Sequence, residues 1–328
     1  MNKHTRRSIL ATAAAAALGA CLAPAWAQDT YPSRPVTIVV PFPAGGVVDV
    51  VARTVGQKMA ATLGQPVIVE NKAGAGGTIG ATFVAKTKPD GYTVLLGGSA
   101  TQVFGPALYK NLQYDARKDF APVGQISAGP LVLVAGPKVP ATDVPQLTSY
   151  LRERGVRAFY GSNGNGTFPH LAAELFKQAK QLPAAHVPYG GGPAALTALI
   201  TGDIAFSINH IPVVQGMVKA GKIRALATTG RKRSVAFPDL PTLDEAGMKG
   251  FEANAWWGLF APAGTPAGAV NKISDALAAA LKDPGVRTVL EAQGDEIAYS
   301  NPREFSAFVA AESAKWSKVV KIADLRLD

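Results

Sequence analysis

The sequence contains one cysteine among its 328 residues, Cys21, and that cysteine lies in an N-terminal segment with the features of an export signal. The segment has a basic start, an Ala- and Leu-rich run and a small-x-small cleavage site at residues 25–27. Cleavage after Ala27 leaves a mature chain without a thiol. Such a chain excludes disulfides, thiolate metal sites and a cysteine nucleophile.

Motifs of common catalytic and nucleotide-binding sites are also missing. The chain has no HExxH, CxxC, GxSxG or GxxxxGK pattern, and the glycine-rich stretch 74–80 departs from GxGxxG because Ile79 stands at its sixth position. Only four histidines occur, and His170 stands alone in the first turn of a predicted helix. From these absences we predict no metal, no cofactor and no enzymatic activity.

Residues 1–27 are predicted to be a signal peptide, with the mature protein starting near Gln28 in the periplasm. Residues 5–10 resemble a twin-arginine export motif, and residues 18–21 loosely match a lipoprotein cleavage box. We favour the general secretory route, for which two arginines before an apolar run are ordinary. We also favour cleavage after Ala27, because the Ala-x-Ala site fits better than the lipoprotein box.

Basic residues exceed acidic ones, and the net charge of +10 falls to +7 once Lys3, Arg6 and Arg7 leave with the signal peptide. A positive field steers anionic small molecules towards a protein. The basic residues are scattered, so nucleic acid is not predicted as a partner. No later apolar run approaches the roughly 20 residues of a membrane span.

What the sequence does contain is a repeated pattern of strand, glycine loop and helix. The apolar stretch 36–40 predicts a buried strand, and Gly45 and Gly46 precede a helix. Apolar residues recur on that helix at helical spacing: Val48, Val51, Val55, Met59 and Leu63. Free N–H groups and the helix dipole make such a helix start a place for an anion. Asp49, in the first turn, either complements the dipole or belongs to the site.

The pattern returns along the chain and predicts an α/β fold with largely parallel sheets. Strands should end in small or polar loops at 71–77, 97–99 and 161–167. Ligands in open α/β sheets lie beyond the carboxyl ends of strands, so these loops should converge. Hydroxyl and amide groups at these strand ends, with no nucleophile or metal cluster, favour holding an anion over transforming it.

Length and two chain crossings predict two domains. The first domain is predicted to comprise residues 28–125 and 254–328, and the second residues 126–253. Finer predictions concern single faces: the helix over 78–86 should turn Ile79 and Phe83 inward. In addition, Thr167 should cap the helix that follows it, and two helices should follow the second crossing strand.

Seven blocks spread over nearly all of the mature chain resemble the tripartite tricarboxylate transporter receptors, also called Bug extracytoplasmic solute-binding proteins. The blocks are YPSRPVTIVVPFPAGGVVDVVAR, VENKAGAGGTIGA, KPDGYTVLLGGSA, YGSNGNGTFPHLAAELF, VPYGGGPAALTALITGDI, AGKIRALATTG and FEANAWWGLFAPAGTP. The resemblance implies a two-domain periplasmic-binding-protein fold, type II-like, with two crossing hinge strands and a ligand cleft between the domains. It implies a receptor that captures a small carboxylate by domain closure, for a membrane permease of the tripartite tricarboxylate type or for sensing. We expect a monomer, because closure needs no second copy.

The predicted site has one half in each domain, the first holding a carboxylate and the second the other end of the ligand. The predicted ligand-binding residues of the first domain are Phe42, Pro43, Ala44, Gly45, Gly46, Val47, Val48, Asp49, Ala75, Gly76, Gly77 and Ser99. Those of the second domain are Ser162, Gly164, Gly166, Thr167, His170, Tyr189, Gly190 and Asn209.

Departures from the family pattern bear on the ligand. Val48 stands where relatives commonly have Ser or Thr, and Asn209, followed by His210, stands where relatives often have an aspartate. A group that could receive a ligand ammonium is thus neutral. These changes predict a non-amino, less polar acid, with aromatic acids among the candidates. Trp256 or Trp257 either stacks on such a ring or packs the hinge.

Two alternatives to a receptor stay open at this point. An exported hydrolase or isomerase could use Asp49 or His170 as a general base, which requires a strongly shifted pKa and turnover of some compound. An interaction protein with a degenerate cleft would fit Val48 and Asn209.

Overall fold

The computed structural model describes residues 31–326. The predicted signal peptide, Cys21, the two export motifs and the start at Gln28 lie outside the described residues. The strands are β1 (Val36–Val40), β2 (Val67–Asn71), β3 (Thr93–Gly98), β4 (Phe120–Ala135), β5 (Phe159–Ser162), β6 (Ala185–Pro188), β7 (Phe206–His210), β8 (Arg224–Thr228), β9 (Asn254–Pro262) and β10 (Glu296–Ser300). The α-helices are α1 (Val47–Leu63), α2 (Thr78–Ala85), α3 (Gly105–Leu108), α4 (Val144–Arg154), α5 (Phe168–Lys180), α6 (Gly192–Thr201), α7 (Ile211–Lys219), α8 (Ala267–Ala280), α9 (Pro284–Ala292) and α10 (Pro302–Ile322).

The strands are hydrogen-bonded in the order β2-β1-β3-β9-β4-β7-β5-β6, with β8 and β10 also paired to β4. Strand β1 is parallel to β2 and β3, and β5 is parallel to β6 and β7. Every pairing of β4 and β9 is antiparallel. The prediction of largely parallel sheets therefore holds within each group of three strands and is wrong for the two long strands between them.

Strand β4 connects the two groups. Its residues 120–130 pair with β9, and residues 131–135 pair with β7 and β8. Residues 34–326 form one unit by their contacts, and the division into two domains stays a prediction. Within residues 31–326, no helix combines the length and apolar character that a bilayer crossing needs.

Strand β9 is buried almost throughout, because bulky aromatic side chains alternate across its two faces. The Trp256 ring packs edge-on against Phe305 and Phe308, at centroid distances of 5.7 and 5.4 Å. Glycine gives these rings their room: a Cβ on Gly258 would lie 2.2 Å from the Phe305 ring. On the neighbouring strand, a Cβ on Gly98 would lie 2.6 Å from the Trp257 ring.

Helix α1 has the predicted apolar stripe, and all five of its predicted inward residues are buried. Each such side chain contributes roughly 1.5–3 kcal/mol relative to leaving it exposed. The helix ends at Gly64, whose φ of 67° is the left-handed conformation that a glycine adopts without strain. The stripe fixes α1 against the sheet and so fixes the loop that enters it.

Helix α2 corrects one prediction. Ile79 and Phe83 are 53 % and 41 % exposed, and the inward face consists of Gly80, Ala81 and Val84. The reason is close approach, since a Cβ on Gly80 would lie 2.8 Å from the Pro41 side chain. A helix that packs this tightly turns its small residues inward.

The region after β9 contains more structure than predicted. Three helices follow, not two, and β10 pairs antiparallel with β4. The missed helix α9 has nine residues and is capped by the preceding Asp283, whose side chain accepts hydrogen bonds from the N–H groups of Gly285 and Val286. Short elements carry too little periodicity to be distinguished from loops.

Candidate functional site

The strand-end loops border one cavity of about 650 Å³. Its wall comes from the loop after β1, the end of β3, the loop after β5, the start of α6 and strand β9. The residues that border it are Phe42, Pro43, Ala44, Gly45, Gly46, Val47, Val48, Gly76, Ser99, Ala100, Asn163, Gly166, Thr167, Phe168, Pro169, Gly191, Gly192, Pro193, His210, Ala255, Trp256 and Trp257. The predicted convergence of these loops is therefore present in the fold.

The predicted site residues divide into two sets. Those that border the cavity are Phe42, Pro43, Ala44, Gly45, Gly46, Val47, Val48, Gly76, Ser99, Gly166 and Thr167. Those that do not border it are Asp49, Ala75, Gly77, Ser162, Gly164, His170, Tyr189, Gly190 and Asn209. Several members of the second set hold the loops in place from behind.

Asp49 organises the first loop. Its carboxylate accepts hydrogen bonds from the N–H of Gly45 at 2.9 Å, from Nε of Arg53 at 3.0 Å and from Nδ2 of Asn71 at 2.9 Å. Asn71 Nδ2 also donates to the carbonyl of Phe42 at 3.1 Å. One buried carboxylate thus fixes both ends of the loop that turns from β1 into α1.

The environment of Asp49 keeps it ionised. The hydrogen bond from Arg53, helped by Gly45 and Asn71 and opposed by burial, lowers the pKa of Asp49 to about 2. A carboxylate that binds a proton so weakly and has both oxygens occupied is a poor general base at neutral pH. Its position and its pKa both count against the hydrolase or isomerase hypothesis.

The helix start beside this loop offers donors without a side-chain cap. Gly46 is the N-cap residue of α1, and it has no side chain to cap the helix. The first helical hydrogen bond runs from the N–H of Val50 to the carbonyl of Gly46. The N–H groups before Val50 therefore lie at the positive end of the helix dipole, next to the cavity.

The second loop is held by neutral groups. The Ser162 hydroxyl accepts a hydrogen bond from the Gly164 N–H at 3.2 Å and lies 2.7 Å from Nε2 of His186. Thr167 is the N-cap residue of α5, as predicted, but its hydroxyl donates to the Gly164 carbonyl at 2.8 Å and caps no helix N–H. The predicted capping role of Thr167 is wrong, because its hydroxyl bonds back into its own loop.

His170 belongs to the same support. Its Nδ1 accepts a hydrogen bond from the Gly166 N–H at 3.1 Å, and its ring stacks on His186 with centroids 3.8 Å apart. Burial, with the nearby Lys177 charge, lowers the pKa of His170 to about 4. The ring is therefore neutral at pH 7, lies outside the cavity wall and shapes the loop.

Two adjacent residues at the end of β7, Asn209 and His210, lie on opposite faces of the strand. Asn209 is buried and its Nδ2 donates to the Ser207 hydroxyl at 2.9 Å, whereas His210 borders the cavity. Successive residues of a strand point to opposite faces. Burial lowers the pKa of His210 to about 4, so the cavity receives a neutral imidazole at this point.

The two adjacent tryptophans differ for the same reason. Both residues border the cavity, but the Trp256 ring packs mainly in the aromatic core of β9 and α10. The Trp257 ring meets Phe42 edge-on at 6.2 Å, on the cavity side. The sequence leaves both residues as candidates for stacking or hinge packing, and the alternation of side chains along β9 separates them.

The cavity is apolar with a few neutral polar groups. None of the residues that border it in the described part of the chain is Lys, Arg, Asp or Glu. Among the described residues that border it, Ser99 Oγ, Asn163 Oδ1 and Trp256 Nε1 are buried polar atoms with no hydrogen-bond partner. Buried polar atoms are nearly always paired, so these three are free to contact a ligand.

Other features of the described residues do not compete with this site. A second cavity of about 690 Å³ is bordered by residues of α7, β8 and the segment 236–240 and contains none of the strand-end loops. Among residues 31–326, no group of three or more His, Cys, Asp or Glu side chains is placed to hold a metal ion.

Comparison with known proteins places the chain. The model of the tripartite tricarboxylate transporter family receptor, TctC, matches residues 51–325. The chain belongs to this family. It is 35% identical to protein BugT of Bordetella pertussis over 300 residues, which cover 91% of this chain and 92% of BugT. Membership in this family confirms the resemblance that the sequence blocks indicate. It also confirms the prediction that the protein is a solute-binding receptor and not an enzyme.

Solved structures confirm the fold. The structure of Rpa4515 from R. palustris with adipate has a TM-score of 0.81 and 35% identity, covering 90% of this chain and 99% of that one. The periplasmic binding protein BugD has a TM-score of 0.77 and 36% identity, covering 90% of this chain and 99% of BugD. This TctC-family receptor therefore has the α/β periplasmic-binding-protein fold.

Proposed function

We propose that this TctC-family receptor captures a non-amino carboxylic acid with an apolar body, an aromatic acid among them, in the periplasm. The observation that carries the proposal is the cavity wall, which combines free N–H groups at a helix start with aromatic side chains and has no ionised side chain. The relative solved with adipate supports a carboxylate as the ligand class.

One carboxylate of the ligand binds at the start of α1. The N–H groups before Val50 and the helix dipole attract the anion, and the Ser99 hydroxyl adds a donor from the end of β3. Asp49 acts indirectly, because it holds Gly45 and, through Asn71, the Phe42 carbonyl. The anion is thus held by neutral donors that a charged neighbour keeps in place.

The body of the ligand contacts the aromatic part of the wall. Phe42, Phe168 and Trp257 border the cavity, and Val48 adds an aliphatic contact where a hydroxyl would favour a more polar acid. An amino acid would bring an ammonium group into a wall without any carboxylate. An unpaired buried charge is strongly unfavourable, so the cavity selects against amino acids.

Capture proceeds by closure of two domains, residues 28–125 with 254–328 and residues 126–253, about the crossing strands β4 and β9. Support comes from the wall itself, since the loops after β1 and β5 each supply only part of the donors. Export by residues 1–27 brings the monomeric receptor to the periplasm. A membrane permease of the tripartite tricarboxylate type receives the ligand.

A thermal-shift screen of the mature chain from Gln28 tests this function. The panel contains benzoate, 3-phenylpropionate, adipate, citrate, glutamate and phenylalanine. A ligand at 100 times its dissociation constant stabilises a fold by about 2.7 kcal/mol, which raises the melting temperature measurably. We expect shifts with the non-amino acids only. A shift with glutamate or phenylalanine alone contradicts the ligand class, and no shift with any acid contradicts the function.

The variant His210→Asp sharpens the screen. It places a carboxylate on the cavity wall, where the wild-type chain has a neutral imidazole. We expect the variant to bind benzoate more weakly. We also expect a smaller difference between the melting shift with 3-phenylpropionate and the melting shift with phenylalanine. Asp275→Asn, on the exposed side of α8, is the matched control and should leave both unchanged.

A further inference from the structure

Asp295 is a buried carboxyl at the point where the two crossing strands pair. It lies between α9 and β10, and only 5 % of its surface is exposed. Its Oδ2 accepts a hydrogen bond from the Ser127 hydroxyl at 2.9 Å, and the Trp257 indole is also hydrogen-bonded to its carboxyl. Ser127 on β4 and Trp257 on β9 are opposite each other in the strand pairing. One side chain thus holds both members of a cross-strand pair.

The surroundings are shaped to admit this carboxyl. A Cβ on Gly129 would lie 2.3 Å from Asp295 Oδ1, so only glycine fits at that position of β4. The Trp257 ring is confined on its other sides by Gly98, where a Cβ would lie 2.6 Å from it, and by Phe42. The Trp257 ring therefore borders the cavity while its N–H is directed to the Asp295 carboxyl.

No cation neutralises Asp295 within residues 31–326, where it makes no ion pair with Lys or Arg. Glu291 on α9 and Glu296 on β10 are exposed. Ile211 of α7 packs against Gly294, and the residue before it is His210. The His210 ring is neutral at pH 7 and adds no positive charge near Asp295. Burial raises the pKa of Asp295 to about 7, and the hydrogen bonds from Ser127 and Trp257 limit the rise.

We propose that Asp295 is a positioning residue of the ligand cavity, whose carboxyl holds the Trp257 indole at the cavity wall and ties that ring to the crossing strands. The inference rests on the proposed function in one respect, that the Trp257 ring contacts the acid's apolar body. An indole whose N–H is fixed presents a rigid ring face, which lowers the ordering cost of binding. Asp295 itself touches no ligand.

The interaction between Asp295 and the Trp257 indole is measured first without ligand, by NMR of the indole N–H groups of the mature chain between pH 5.5 and 8.5. The variant Trp257→Phe assigns the Trp257 signal. We expect that signal to move with a midpoint near the pKa of Asp295, about 7, and to stop moving in Asp295→Asn. The exposed neighbour variant Glu296→Gln should leave the titration unchanged. A Trp257 signal that does not move with pH, or that moves equally in Asp295→Asn, overturns the inference.

Affinity for benzoate is then measured by calorimetry in two variants. Asp295→Asn keeps an acceptor oxygen for the indole and should stay close to wild type, whereas Asp295→Leu leaves the indole N–H unpaired and should weaken binding about tenfold. Equal affinity in Asp295→Leu and wild type overturns the inference and leaves the receptor function standing. If wild type binds no acid of the panel, the proposed function fails. The indole titration then still shows whether Asp295 interacts with the Trp257 indole.

Discussion

Asp49 and Asp295 are both carboxyls with little exposed surface, 4 % and 5 %, and each is bonded to a residue of the cavity wall. Asp49 has a cation, Arg53, at 3.0 Å. Within residues 31–326, Asp295 has only the neutral donors of Ser127 and Trp257. The pKa of Asp49 falls to about 2 and that of Asp295 rises to about 7. Low exposure alone therefore does not set the charge of a carboxyl in this fold: the hydrogen bond from Arg53 is the largest cause of the low pKa of Asp49, and burial is the largest cause of the high pKa of Asp295.

The difference matches what each carboxyl supports. Asp49 fixes the loop that we propose as the carboxylate-binding half of the site, and it stays charged over the whole physiological range. Asp295 supports an aromatic ring and changes charge near neutral pH. The first support is constant and the second responds to pH, so opposite pH dependences of stability separate the two.

The largest effect is expected for Asp295→Asn. A raised pKa in the folded state means that Asp295 favours folding at low pH, and this advantage is lost as the pH rises from about 4 to about 7. The unfolding free energy of wild type minus that of the variant should fall by about 4 kcal/mol over this range. Urea unfolding at pH 4, 5.5 and 7 measures it, and a constant difference would contradict the pKa of Asp295.

Asp49→Asn should show the opposite sign and a smaller size. A lowered pKa in the folded state contributes stability above pH 4, which is lost as the pH falls towards about 2. The variant should lose about 2 kcal/mol at pH 7 relative to wild type and less at pH 3. It should also bind benzoate about tenfold more weakly, because an amide has a single acceptor oxygen and cannot accept from Gly45 on one side and Asn71 on the other. Unchanged affinity would show that the loop keeps its shape without this carboxylate.

Arg53→Gln tests the partner instead of the carboxyl. Removing the guanidinium takes away the largest cause of the low pKa of Asp49, so that pKa should rise towards the usual range for Asp. Arg53 is about half exposed, so the loss of stability should be smaller than for Asp49→Asn. Carboxyl NMR of Asp49 during acid titration measures the pKa. A pKa that stays near 2 would assign the effect to Gly45 and Asn71.

Trp257→Phe removes a hydrogen-bond partner of Asp295, as Arg53→Gln removes one of Asp49. It should have the smallest effect on the free energy of unfolding. It keeps an aromatic ring and removes one hydrogen bond that limits the pKa of Asp295. That pKa should rise further, and the unfolding free energy should change by about 1 kcal/mol. Asp295 titration by carboxyl NMR in this variant checks the direction, and a fall in the pKa would contradict it.

Much of the frame around Asp49 could be predicted from sequence. The stripe of α1 is a local pattern, and Asp49 lies in the first turn as predicted. Its bond to Arg53 spans four residues and follows from helical spacing. Its bond to Asn71 depends on how β2 pairs with β1, which local periodicity does not contain.

The frame around Asp295 could not be predicted. Asp295 and Ser127 are 168 residues apart, and they meet only because β10 pairs with β4. The same limit explains Asn209 and His210, where the facing residue depends on strand register, and the exposed Ile79 and Phe83 of α2. Long-range pairing and close helix approach decide these positions.

Binding of two matched pairs of acids to the mature chain tests the central claim, that an uncharged cavity holds a non-amino carboxylate. The pairs, adipate with 2-aminoadipate and 3-phenylpropionate with phenylalanine, differ only in an ammonium group. In calorimetric titrations at pH 7, we expect at least one of the non-amino acids to bind, at least about tenfold more tightly than its amino partner. Equal or tighter binding of the amino partner would contradict the claim.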